Sequence, residues 1–271
     1  MSQHLKRWIT GIIAAPIVFA VIIYDGYGSD VIFAAFVMLL ILGALSEYNS
    51  MVLGRGSRWE KCEVLAIGFL IPLAAYSGDT HLELAVITFS AIFVFLVFLF
   101  RLRNDSFDIA GPGKVVFGFI YIPLMISYLI PIRGSEDGML WVFFILTLAV
   151  SGDVSAFYIG KTVGKRKLMP HVSPGKTIEG TIGLLGGGMI GCVIFKLIFF
   201  NALSLVHVII IGFAGSILGQ LGDLCESTIK RVAGVKDSGS FLPGHGGILD
   251  RLDSLLFIIP FVYYYNMFVI R

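Results

Sequence analysis

The chain has 271 residues, 57% of them hydrophobic and only 14% charged, with a mean hydropathy of +0.90. That composition excludes an ordinary water-soluble globular domain and points to an all-α polytopic membrane protein. The formal charge of +2 comes from cations scattered over short segments with no recognition module, which excludes a nucleic-acid partner.

Crossing the hydrocarbon core as a helix takes roughly 20 apolar residues. About nine such runs are expected, near 8–24, 31–53, 60–77, 82–100, 115–132, 139–160, 179–200, 205–222 and 254–270. They are continuously apolar instead of alternating, so a β-barrel is excluded. The first run follows Lys6 and Arg7, contains Pro16 and lacks a small-residue cleavage site after Ile23-Tyr24-Asp25, which reads as a retained signal anchor. Glu47, near the end of the second run, either snorkels to the interface or reaches a functional site. Otherwise the helices of residues 1–138 hold few polar groups and serve as scaffold, leaving 139–271 as the catalytic part of one integral membrane domain.

The sixth run contains Asp153, and an ionised carboxylate there costs roughly 2.5–3.5 kcal/mol, which calls for a polar cavity, a cation or a basic partner. The polar segment 161–178 follows, with Lys161, Lys165, Arg166 and Lys167 suited to anionic headgroups. Its end, Ser173-Pro174-Gly175-Lys176-Thr177, imitates a P-loop, but the glycine needed five positions before Gly175 is Pro170. What remains is a cationic, hydroxyl-bearing segment at a helix N-terminus, which favours phosphate. In the seventh run Gly183, Gly186, Gly187, Gly188 and Gly191 form a stripe for close helix packing. At the end of the eighth, Asp223, Glu226, Ser227 and Lys230 share one face of a continuing helix. Cys62, Cys192 and Cys225 lack metal-ligand spacing and read as buried structural thiols.

Alternate loops hold 17 of the 20 Lys and Arg residues, whereas Asp25, Asp30, Asp79, Glu83, Glu136 and Asp137 gather on the opposite side. Cytoplasmic loops are the basic ones, so the N-terminus and the polar loops 161–178 and 226–253 are expected in the cytoplasm and the C-terminus outside, as in a bacterial-type inner or plasma membrane.

The densest polar stretch runs from Ser227 to Asp253. Lys230, Arg231, Lys236 and Arg251 can hold anionic oxygens, while Asp223, Asp237, Asp250 and Asp253 can hold a hard cation. This is the equipment of a metal-assisted phosphoryl or nucleotidyl transfer site. Its order is Ser227-x-apolar-Lys230-Arg231, four residues, Lys236-Asp237, then Pro243-x-His245-Gly246-Gly247-apolar-x-Asp250-Arg251-apolar-Asp253. That order resembles the signature of the phosphatidate cytidylyltransferases, the CDP-diacylglycerol synthases. The resemblance extends to an acidic residue, Asp153, ahead of Ala156-Phe157-Tyr158-Ile159-Gly160-Lys161, and to Ser173-Pro174-x-Lys176-Thr177-x-Glu179-Gly180, where Gly175 replaces a second basic residue.

The resemblance implies transfer of a cytidylyl group from CTP to phosphatidic acid in membrane lipid, for phospholipid biosynthesis. It implies Mg²⁺, with room for a second cation, held by Asp223, Asp250, Asp253 and Asp153. On this reading Asp223, Asp250, Lys230 and Arg231 are expected to form the catalytic set. Ser173, Lys176, Thr177, Ser227, Lys236, Asp237, His245, Gly246, Gly247 and Arg251 are expected to contact substrate. A phosphate monoester is already largely dianionic and needs no general base, so His245 serves equally as a hydrogen-bond donor or a turn residue. A homodimer suits the family and the glycine-rich helices. Two other readings stand beside this one: a CTP-dependent lipid-alcohol kinase, which would need a base, and an anion transporter, which the one-sided placement of the polar groups disfavours.

Overall fold

The structure, a computed structural model, describes residues 3–54, 58–101, 110–241, 244 and 246–270. Arg55 and Arg103, two of the 17 cations of the basic loops, and the terminal Arg271 lie outside them. The chain forms two compact units: Met1–Gly134 with Asp237–Arg251, and Ser135–Lys236 with Leu252–Arg271. The stretch Asp237–Arg251 therefore groups with the N-terminal helices, a division that does not follow the linear boundary at residue 138.

In the first unit, α1 (Gln3–Ile23), α2 (Ser29–Val52), α3 (Arg58–Ser77), α4 (Thr80–Arg101) and α5 (Ala110–Arg133) are apolar helices. Phe33, Val37, Ile41, Ala44, Leu45 and Tyr48 of α2 recur at three- and four-residue spacing and are buried. They share a core with Val64 and Ile71 of α3 and Val115, Phe119 and Ile122 of α5. The Tyr48 hydroxyl donates to the Lys114 carbonyl at 2.8 Å, and its ring lies so close to Gly118 that a side chain there would collide. Arg133, nearly buried, donates to the carbonyls of Ile22 and Tyr24 and to Asp25, tying the end of α1 to the end of α5.

The second unit contains α6 (Gly138–Thr162), an antiparallel hairpin of β1 (Lys167–Met169) and β2 (Ser173–Thr177), and α7 (Ile178–Ile198). These lead into α8 (Leu205–Val232); after the single turn α9 (Leu249–Leu252), which spans the boundary between the units, the unit closes with α10 (Leu255–Ile270). Four glycines of the stripe pack as expected, Gly183 seating Ile159, Gly187 seating Ser155 and Gly191 seating Ser151, all on α6, while Gly188 seats Ser216 of α8; Gly186 faces open space. A second set on α8, Gly212, Gly215, Gly219 and Gly222, receives Met189, Leu148, Ile258 and the Asp253 carbonyl.

Among the described residues, six helices are long and apolar enough to cross a membrane, namely α2, α4, α5, α6, α7 and α8, and shorter apolar helices cover Gly11–Ile23 and Leu255–Ile270. The all-α membrane class holds, and six of the runs meet the full spanning length and hydropathy among the described residues, so the count of about nine spans is not confirmed. The third run falls short because Arg58, Glu60, Lys61 and Glu63 occupy the first six residues of α3. Pro123 lacks an N–H, and the fifth run passes through a π-helical turn at Ile120–Leu124. The segment read as a loop at 161–178 contains the β1–β2 hairpin. Of the three thiols only Cys192 is buried; Cys62 and Cys225 are exposed. Cys62 stands among the charged residues that open α3, and Cys225 lies on an exposed face of α8, so lying in or beside an apolar run did not bury either.

Candidate active site

The second unit builds an ionic cluster where α7 begins and α8 ends. Thr177 caps α7, its hydroxyl accepting from Gly180 N at 3.1 Å, and Glu179 in the first turn accepts the backbone N–H groups of Lys165 and Arg166. The hairpin is thus fixed to the helix it precedes, and Lys176, its penultimate residue, forms an ion pair with Asp223 of α8. One turn on, Ser227 donates to Asp223 Oδ1 at 3.3 Å. Glu226, wholly buried, pairs with Lys230 at 2.5 Å. Gly222 admits the Asp253 backbone, which brings a further carboxyl beside Asp223. Burial pushes the Asp253 carboxyl well above the usual carboxylate range, and the charges of Asp223, Glu226 and Asp153 push it further.

Three acidic groups, Asp223, Glu226 and Asp153, therefore act on the carboxyl of Asp253, and two ammonium groups, Lys176 and Lys230, stand in ion pairs with Asp223 and Glu226. With Asp253 ionised as well, the carboxylates exceed the two ammonium groups by two charges, which a divalent cation would neutralise. Among the described residues no three His, Cys, Asp or Glu side chains stand close enough to form a ready-made metal cluster. A hard cation that keeps most of its ligands as water and substrate phosphate needs only one or two of these carboxylates.

Arg231 spends two donors on the carbonyls of Val172 and Val235, at 3.0 and 3.2 Å, strapping the hairpin turn to the end of α8. Ser173 begins β2 opposite Met169, and Lys236 is exposed.

The remaining signature residues belong to the first unit. Asp250 accepts from Ser238 N at 3.0 Å and from Gly247 N at 2.8 Å, so its carboxylate organises its own loop. Gly244 and Gly246 adopt φ of +81° and +83°, a conformation that favours glycine, and a side chain at Gly246 would press on Asp250. Asp237 and Arg251 are exposed. His245 and Pro243 lie outside the described residues. Sequence reasoning did not single out Ser238, which occupies a variable position of the signature, or the clamp that Glu179 makes.

A sequence profile of the cytidylyltransferase family matches residues 5–269. The chain belongs to the cytidylyltransferase family. It is 32% identical to the phosphatidate cytidylyltransferase of Bacillus subtilis, over 97% of this chain and 98% of that protein. It is 33% identical to the phosphatidate cytidylyltransferase of Staphylococcus haemolyticus, over 94% and 95%. The uncharacterized protein YnbB of Escherichia coli is 35% identical, over 76% of this chain and 74% of that protein. Cytidylyl transfer must hold a triphosphate and neutralise the charge that develops on pyrophosphate.

Proposed function

We propose that this protein transfers the cytidylyl group of CTP to phosphatidic acid, giving CDP-diacylglycerol and pyrophosphate. The observation that carries the reading is similarity over nearly the whole length of two phosphatidate cytidylyltransferases; this chain's own sequence also fills every fixed position of the signature. A phosphate oxygen of phosphatidic acid attacks the α-phosphorus of CTP. The bond from that phosphorus to the oxygen bridging to the β-phosphate breaks, and pyrophosphate departs with the electron pair. Lys176 and Lys230 supply the cluster's two ammonium groups, which would draw the anionic substrates. Arg231 keeps donors beyond its two backbone bonds, and Lys236 and Arg251 are exposed cations available to phosphate.

The surplus negative charge supports a divalent cation such as Mg²⁺ at Asp223 and Asp253, with Asp153 nearby. When bound it would neutralise charge on the triphosphate. Asp250 is proposed as a further ligand from the signature alone. The bias of cations to alternate loops supports a cytoplasmic N-terminus and signature loop, and the C-terminus outside. A homodimer draws support from the family resemblance and none from the glycine stripe, which packs within the chain.

The test is transfer in mixed micelles containing phosphatidic acid, Mg²⁺ and CTP labelled separately at the α and γ phosphates. The α label enters lipid and the γ label leaves as pyrophosphate; Asp223→Asn lowers the rate by about 100-fold or more. Entry of the γ label into a polyprenol instead would replace this reading with a lipid-alcohol kinase.

A further inference from the structure

Glu47 is a carboxylate 7% exposed, on a helix whose other buried residues are almost all apolar. Its partners come from the signature loop near the other end of the sequence. Oε1 accepts from Ile248 N at 2.9 Å; Oε2 accepts from Leu249 N and from the Ser238 hydroxyl, each at 2.9 Å. These are the donors that the loop and the start of α9 leave unpaired by their own backbone. Ser238 extends the arrangement: its hydroxyl also accepts from Asp250 N at 3.3 Å, and its own N–H donates to the Asp250 carboxylate.

The glycines of the loop fit the same contact. A methyl at Gly239 would strike the Glu47 carboxylate, and one at Gly247 would strike both that carboxylate and the Ser238 hydroxyl. Gly247, a fixed position of the signature, is thus explained by close approach to a side chain outside the signature. Ile248 is anchored as well, its δ-methyl group filling the space left by Gly43, one turn before Glu47 on α2.

We infer that Glu47 is a positioning residue of the transferase: its carboxylate, with Ser238 as the bridge, holds the signature loop in the conformation that presents Asp250 and Arg251. This rests on the proposed cytidylyl transfer for its catalytic consequence, though not for the clamp itself. The anionic acceptor matters more than the shape. Three donors converge on two oxygens, and a glutamine would turn an N–H₂ toward at least one of them.

The experiment compares wild type, Glu47→Gln and Ser238→Ala in nanodiscs. It measures kcat and both KM values per folded protein, the thermal midpoint, and hydrogen exchange of the loop amides. Expected in Glu47→Gln are a fall in kcat/KM of about 100-fold with a changed KM for CTP or phosphatidic acid, the order of loss that a 1 Å misplacement produces. The amides of Gly247, Ile248 and Leu249 exchange faster while those of α6, α7 and α8 keep wild-type protection. Ser238→Ala, which leaves α2 untouched, shows the same pattern at about a tenfold loss. A merely structural role would lower the folded fraction and leave both KM values of the remainder unchanged, and that result overturns the inference. So do kinetics within twofold of wild type in both variants, whatever the exchange shows. A wild type that transfers no label removes the catalytic role together with the proposed function, while unaltered loop exchange in Glu47→Gln removes the clamp on its own.

Discussion

Asp253 stands where burial and three neighbouring carboxylates all oppose its ionisation. Its folded-state proton affinity exceeds that of the unfolded chain, so the folded state binds more protons and stability falls as pH rises from the ordinary aspartate range through the raised value. Asp253→Asn removes that penalty. In metal-free buffer at neutral pH it raises the thermal midpoint by about 2–4 °C, a difference that vanishes toward pH ~4, while transferase activity falls. Melting curves at several pH values check it. The charges of Asp223, Lys176 and Asp253 stood out in the sequence because a charge beside an apolar run demands a reason, and Asp253 also ends the signature. The role of Glu47 was half legible: its charge stood out, but its partners lie 191 to 202 residues away, and no local pattern announces them. Ser238 had no signal at all, since serine in a polar loop is ordinary.

Helix α7 gives a paired test of why its glycines are there. At Gly187 a methyl would meet the Ser155 side chain and the Ser151 carbonyl on α6, whereas at Gly186 it meets open space. Gly187→Ala destabilises by about 1–3 kcal/mol through overpacking. Gly186→Ala stabilises by about 0.5–1 kcal/mol, because alanine forfeits less backbone entropy. Unfolding in a detergent series, followed by the helical signal, separates the two. The stripe could be read from spacing, but which glycines bear a neighbour could not, since that depends on the rotation of α6 against α7. The β1–β2 hairpin was hidden for a similar reason. Its segment is too short and polar for a period to show, and it is held by Glu179 and by Arg231 reaching back to Val172. The turn of π-helix was signalled only by Pro123, and proline in a membrane helix is tolerated in several geometries.

The membrane class followed from composition, and the positions of most apolar helices from run length; the division into units did not, because the loop Asp237–Arg251 joins helices far from it in sequence. Orientation is a property of the entire chain and has a direct check. In a background with Cys62, Cys192 and Cys225 replaced by alanine, Gly175→Cys reacts with a membrane-impermeant maleimide only from the cytoplasmic side. Glu136→Cys reacts only from outside; the reverse pattern would invert the topology. The long reach from Glu47 to its loop also has a consequence for biosynthesis. A ribosome adding roughly 5–20 residues per second exposes α2 about 10–40 s before Ser238 emerges. Throughout that interval the Glu47 carboxylate lacks the three donors it holds in the finished protein. Nascent chains, and any product truncated before the signature loop, therefore carry a carboxylate without those partners in an apolar helix, where an ionised group costs roughly 2.5–3.5 kcal/mol at a helix centre.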